Sequence, residues 1–303
     1  MAVNLEPSVP VRTVHHPYIL GQASIGMRAL HQKAKVSVLL CLSIAMIASL
    51  VSSTYIGAAN SQQNNTLIQP QGLQGMSSNG TNIILVHGGW ADASSWSKVI
   101  TILKDSGHKI VAVNMPLHSL ADDVATVKRA VELVGKPVIL VGHSYGGEVI
   151  TNAGYNNPNV TGLVYIAAFA PDEGQSLSTF VDAKSFPEGF LMLDSAGLAY
   201  INPAMFHDRF AQDVDPTEAY VMAVAQKPFN ASNFVEKSGP PAWKQLPTWY
   251  QISTSDLMIP PDAQEKFAKQ MNATTISINA SHASYVSHPD EIAKLILDAA
   301  KGK

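Results

Sequence analysis

The sequence predicts an α/β fold over residues 81–303: a mostly parallel sheet with helices on both faces, and a helical cap inserted at about 171–247. Three observations lead there. Six short apolar or β-branched runs alternate with amphipathic stretches, the rhythm of a parallel sheet wrapped by crossover helices. A G-x-S-x-G pentapeptide at 142–146 lies between one such run and one such helix. The alternation is broken once, by a long segment rich in aromatic residues, Met, Pro and Gly.

Strands are expected at 82–86, 109–113, 137–141, 162–167, 248–253 and 275–278, each a run of Val, Ile, Leu, Thr or aromatic residues bounded by turn formers. Helices are expected at 94–105, 121–134, 146–155, 261–271 and 289–300. Pro261 and Pro289 open the last two, where a missing N–H costs nothing because first-turn amides lack intrahelical partners. The 171–247 insertion is far longer than a crossover connection and carries Phe180, Phe190, Met192, Phe206, Phe210 and Trp243. Such an insertion in a doubly wound fold covers the strand ends, where ligands bind.

Composition narrows the function classes. Twenty Lys+Arg against 23 Asp+Glu leave a net charge of −3, which gives no electrostatic case for a nucleic-acid or anionic-membrane partner. Charged residues at 14% and hydrophobic ones at 46% exclude a wholly disordered chain. Cys41 is the only cysteine, so neither an intrachain disulfide nor a CxxC or Cys-based zinc site can form.

Residues 1–60 are expected to lie outside the fold. An uncharged run from Val36 to Val51 follows Arg28, Lys33 and Lys35, the polarity of an export signal, and Gly57 and Ala59 offer a small-x-small cleavage site. The uncharged stretch extends to Ala59, so an uncleaved N-terminal anchor is the alternative. Met27 with its short basic flank is itself a well-proportioned signal start. Residues 61–80, rich in Asn, Gln and Ser, read as a polar linker. Sequons at Asn64, Asn79, Asn159, Asn230, Asn272 and Asn279 all follow the apolar run, which agrees with export outside the cell or to the outer face of its membrane.

The chemistry gathers at strand ends. Gly142-His143-Ser144-Tyr145-Gly146 directly follows the PVILV strand and precedes a helix. That context places Ser144 on a sharp strand-to-helix turn with its Oγ exposed at a helix N-terminus. A serine hydroxyl is a weak nucleophile, so it needs a base within hydrogen-bond reach and an acid that orients the base. In the chain order Ser, Asp, His, Asp256 follows TWYQIST and His282 follows TISIN, both at carboxyl ends of strands on the edge that carries Ser144. Asp172 is the rival acid, while Asp262 already lies within the next helix. Of the other histidines, His87 and His143 flank tight turns, His108 is at the wrong edge, His118 and His207 are placed to touch substrate, and His288 enters a helix. An acyl-transfer oxyanion needs two backbone donors. Tyr145 N–H is expected to be one, and Gly89 N–H, in His87-Gly88-Gly89-Trp90, the other.

HGGWADASSW, VGHSYGG, TSDLMIPPDAQ and SHASYVSHPDEIAKLI together resemble the compact α/β-hydrolases: bacterial carboxylesterases and pyrethroid-type esterases, related to plant methylesterases and hydroxynitrile lyases. The likeness runs from about residue 81 to the C-terminus in the same order. It implies Ser144 as nucleophile, His282 as base, Asp256 as acid, and the Gly89 and Tyr145 amides as oxyanion hole. Ser144 stands where haloalkane dehalogenases and most epoxide hydrolases of this fold carry a carboxylate, and Ala283 where the related lyases carry lysine. The expected activity is therefore ester hydrolysis of small to medium uncharged substrates, with no cofactor or metal. A lactonase, a perhydrolase and a non-catalytic ligand-binding protein are the alternatives.

Overall fold

The computed structural model describes residues 80–302. The expected export segment, and the linker apart from Gly80, lie outside the described residues. Six strands form one sheet: β1 (Asn82–Val86), β2 (Ile110–Val113), β3 (Val138–His143), β4 (Val160–Ile166), β8 (Thr248–Ser253) and β9 (Thr274–Ile278). Their order is β2-β1-β3-β4-β8-β9 and every pairing is parallel. The six sequence-derived strands are all present, with ends displaced by no more than two residues.

Burial follows position in the sheet. Every residue of β1, β3 and β8 is buried, so these strands read as apolar runs without alternation, whereas edge strand β9 is largely exposed. Helix α1 (Ser97–Leu103) packs against α8 (Pro289–Ala300), and α2 (Leu120–Val134) against α3 (Tyr145–Ala153); α6 (Pro261–Gln270) packs on β8. The helix expected at 94–105 opens instead as a 3-10 turn, Ala93–Trp96, because the Asp92 side chain accepts the Ser94 N–H and buried Trp96 anchors the turn.

The order of the strands matters for function. The chain leaves β1 for β2 on one side and returns to β3 on the other, which makes the carboxyl ends of β1 and β3 the switch point where a crevice opens. Both the HGG segment and the pentapeptide are located there.

The cap corrects one expectation. It has helices α4 (Pro203–Phe210) and α5 (Pro216–Val224), but it also has an antiparallel sheet of β5 (Leu191–Leu193), β6 (Leu198–Ile201) and β7 (Phe229–Asn230). The β5–β6 hairpin forms because Asp194 Oδ1 accepts the N–H groups of Ala196 and Leu198, a local turn that competes with helix. A short helix, α7 (Ser284–Ser287), also precedes α8.

Candidate active site

Ser144 stands between β3 and α3 with φ 53° and ψ −125°, a strained conformation for a residue with a Cβ. The turn closes tightly: a Cβ on Gly142 would lie 2.5 Å from the Gly146 carbonyl oxygen, and one on Gly146 would lie 2.6 Å from the Val86 and His87 carbonyl oxygens. Only glycine fits on either side, which is the physical content of the pentapeptide. Ser144 N–H is held by the Ile166 carbonyl at 3.3 Å, and its carbonyl accepts from Gly147 and Phe169.

His282 and Asp256 meet in the interior. Nδ1 of His282 is 2.8 Å from Asp256 Oδ2, and both residues are buried. A carboxylate can only accept here, so Nδ1 carries the proton; in the neutral ring this leaves the lone pair on Nε2, the tautomer a base requires. Asp256 is itself fully engaged: Oδ1 accepts Met258 N–H at 2.7 Å and Ile259 N–H at 3.0 Å, and Oδ2 also accepts Gln264 Nε2–H at 2.8 Å. Gln264, in turn, accepts Ser253 N–H and donates to the Ile259 carbonyl. The rival Asp172 sits half-exposed in an ion pair with Lys244 at 2.5 Å and makes no contact with His282.

The serine and the histidine are brought together through His143. Its Nε2 is 2.9 Å from the His282 carbonyl, and the two rings lie 4.7 Å apart. Since a carbonyl accepts, His143 Nε2 is protonated; burial holds its pKa well below the usual range, so the ring is neutral. No hydrogen bond joins Ser144 Oγ to His282 Nε2 among the described residues. Such bonds are often loose in unliganded sites and tighten in the reactive complex.

The loop after β1 abuts the serine. A Cβ on Gly88 would stand 2.7 Å from Ser144 Cβ, and one on Gly89 would stand 3.3 Å from the Phe229 ring. His87 fixes the loop with both ring nitrogens: Nε2 accepts Met115 N–H at 3.0 Å, so Nδ1 is protonated and donates to the Gly88 carbonyl at 2.8 Å. Burial lowers its pKa to about 4, so the bracket stays neutral at physiological pH. Trp90, at φ 61°, is pinned by its indole N–H to the Ala199 carbonyl of the cap. Phe229 completes the wall, 5.0 Å from the Tyr145 ring. The Tyr145 hydroxyl points elsewhere, donating to buried Asp123, which also accepts the Leu117 N–H.

The other described histidines lie away from the pair. His108 bonds to the Thr81 carbonyl at the far edge, His118 is exposed, and His207 on α4 faces the Val214 carbonyl at 3.2 Å. Gln264 is the site residue that the sequence reading passes over, while His143 is read there only as flanking a turn and Phe229 only as a cap aromatic. For Gln264 a signal existed: it heads the buried stripe 264, 267, 268 of α6, a polar residue where the amphipathic pattern calls for an apolar one. Among the described residues no group of three or more His, Cys, Asp or Glu is placed to hold a metal ion.

A serine on a strained elbow at the sheet's switch point, beside a buried Asp–His pair, defines a hydrolase class, and residues 83–295 match the model of the alpha/beta hydrolase family. The chain belongs to that family. It is similar to the pyrethroid hydrolase of Sphingobium wenxiniae, 25% identical over 249 residues that cover 73% of this chain and 88% of the relative. It is also similar to the polyneuridine aldehyde esterase of Rauvolfia serpentina, 23% identical over 72% of this chain and 94% of the relative. Among solved structures, an extracellular α/β-hydrolase from a Paenibacillus species shares the fold at TM-score 0.63 and 24% identity, covering 73% of this chain and 99% of that one.

Proposed function

We propose that the chain hydrolyses carboxylic esters through an acyl-enzyme on Ser144. Relatives named as esterases support ester hydrolysis as the activity. The observation that carries the mechanism is the buried His282–Asp256 pair, bonded through Nδ1 and tied by His143 to the elbow that bears Ser144.

In this reading His282 Nε2 takes the Ser144 proton as Oγ attacks the ester carbonyl, and Asp256 stabilises the imidazolium that results. The N–H groups of Gly89 and Tyr145 receive the oxyanion. His282 then protonates the leaving alcohol, and water attacks the acyl-enzyme by the same path in reverse. Every atom the steps need is supplied by the chain, the ester and water.

The cap supports an uncharged, small to medium substrate. It encloses a cavity of about 510 Å³ lined by Val181, Phe186, Leu191, Ala199 and Phe234, with exposed Glu188 as its charged member. That size is typical of small-molecule sites. Ser144 is not in the lining; Phe234, which is, packs its ring 5.3 Å from Phe229, which abuts Gly89 and Tyr145.

The test is hydrolysis of p-nitrophenyl esters of increasing acyl length, with a lactone in the panel, by wild type and Ser144→Ala. Ester turnover lost in the variant is the expected result. A folded wild type inactive on every ester sinks the proposal in favour of a ligand-binding protein.

A further inference from the structure

We infer that the four-residue strap Phe210–Asp213, the last residue of cap helix α4 and the first three of the loop leading to α5, positions the acid–base pair of the site, with Asp213 as its positioning residue. The inference rests on His282 and Asp256 acting as proposed above.

All the contacts converge on two loops. Ala283 N–H, immediately after His282, donates to the Phe210 carbonyl at 3.2 Å. Ser281 N–H, immediately before it, donates to Asp213 Oδ2 at 3.0 Å. The amides on both sides of the base therefore both reach the cap, Ser281 N–H through Asp213 and Ala283 N–H through Phe210, the latter shared with Ser281 Oγ at 3.1 Å. The same Asp213 oxygen accepts the Ser287 hydroxyl at 2.9 Å, fixing α7 behind the loop, and stands 3.7 Å from His288 Nδ1. Gln212 Nε2 donates at 2.6 Å to the carbonyl of Ser255, the residue before Asp256. The Phe210 ring meets the His282 imidazole edge-on at 4.8 Å.

Position and burial make these contacts consequential. Ser281 is 1% exposed, so losing the Asp213 carboxylate orphans a buried amide next to the base. A loop end that must satisfy that amide elsewhere turns the imidazole with it. Angstrom-scale misplacement of a catalytic group costs up to about a hundredfold in rate. A second tie keeps the strap's far end in place: Lys98 of α1 pairs with Glu218 of α5 at 2.6 Å and donates to the Val286 carbonyl at 3.1 Å. The cap thus holds the acid–base pair directly as well as covering the site.

The experiment compares Asp213→Ala with Asp213→Asn on p-nitrophenyl acetate, with active sites titrated to completion by a p-nitrophenyl phosphonate. Asp213→Ala is expected to lower kcat per titrated site about ten- to hundredfold with little change in KM. Asp213→Asn, whose amide oxygen still accepts the Ser281 and Ser287 donors, is expected to recover most of that loss. The His282 Nδ1 proton, shared with Asp256, gives a far-downfield NMR signal that should broaden in the Ala variant and persist in the Asn variant. Unchanged kcat per site together with an unchanged downfield signal in Asp213→Ala overturns the inference. Should Asp213→Ala fail to fold, Gln212→Ala carries the same two readouts with the same expected directions. His282→Ala separates the two levels: turnover retained there defeats the triad itself, whereas turnover lost there with Asp213→Ala unimpaired defeats the strap alone.

Discussion

Two equally buried carboxyl groups show how hydrogen-bond partners, rather than burial, sort chemistry from structure. Asp256 has four hydrogen-bond donors and one charge to share with His282. Asp256→Asn takes away that charge and the acceptor that fixes the Nδ1–H tautomer; kcat on a short ester is expected to fall about 10³- to 10⁴-fold, measured against Ser144→Ala as the floor. Glu148 on α3 is buried as completely, yet neither oxygen has a partner among the described residues. Burial first, and then the nearby Glu236 charge, push its pKa well above the usual carboxylate range, so the native state holds the proton. Between the ordinary glutamate pKa and this raised value, the folded chain binds more protons than the unfolded one, and stability falls as pH rises. Glu148→Gln removes that term. Its advantage over wild type in urea unfolding is expected to be small near pH 4.5 and to grow toward pH 8; a constant difference would show that Glu148 does not titrate in this window. Ser144, Asp256 and His282 were legible because chain order and strand ends fix them. The burial of Glu148 and the bracket made by His87 were not, because they depend on contacts distant in sequence.

At the scale of elements, the sheet was far more legible than the cap. Buried parallel strands announce themselves by unbroken apolar runs, and α6 and α8 by the proline in their first turn. The same punctuation occurs at Asn202-Pro203 and Asp215-Pro216, where each acidic or amide side chain accepts the N–H two residues on and opens α4 or α5. Asp215→Ala is expected to cost about 1 kcal/mol in chemical denaturation. Strands β5 to β7 had no such signal: they are two to four residues long, too short for period-two alternation to emerge. They nevertheless build the wall of the large cavity. Ala231, just after β7, lines it, and Ala231→Trp is expected to depress kcat/KM for a long-chain p-nitrophenyl ester at least tenfold more than for the acetate, consistent with the energies of added bulk in a packed space. Equal effects on both esters would place the acyl group elsewhere.

For the whole molecule, the export expected of residues 1–60 is a proposal separate from the hydrolase body and has its own test. Fusion of residues 1–60 to a periplasmic reporter is expected to carry the reporter out of the cytoplasm, and deletion of that segment to leave active enzyme inside; reporter retained in the cytoplasm would refute export. The body gathers its site from the two ends of its length. The nucleophile turn and the β1 loop come from the first half of the described chain, while the acid, the base and the helix that seals them come from the last. A nascent chain still held by the ribosome can therefore form its elbow long before the base that would arm it has been synthesised. On the proposed mechanism, hydrolytic competence arrives only with the last strand and the loop that carries His282, so an unfinished polypeptide would be inert toward esters.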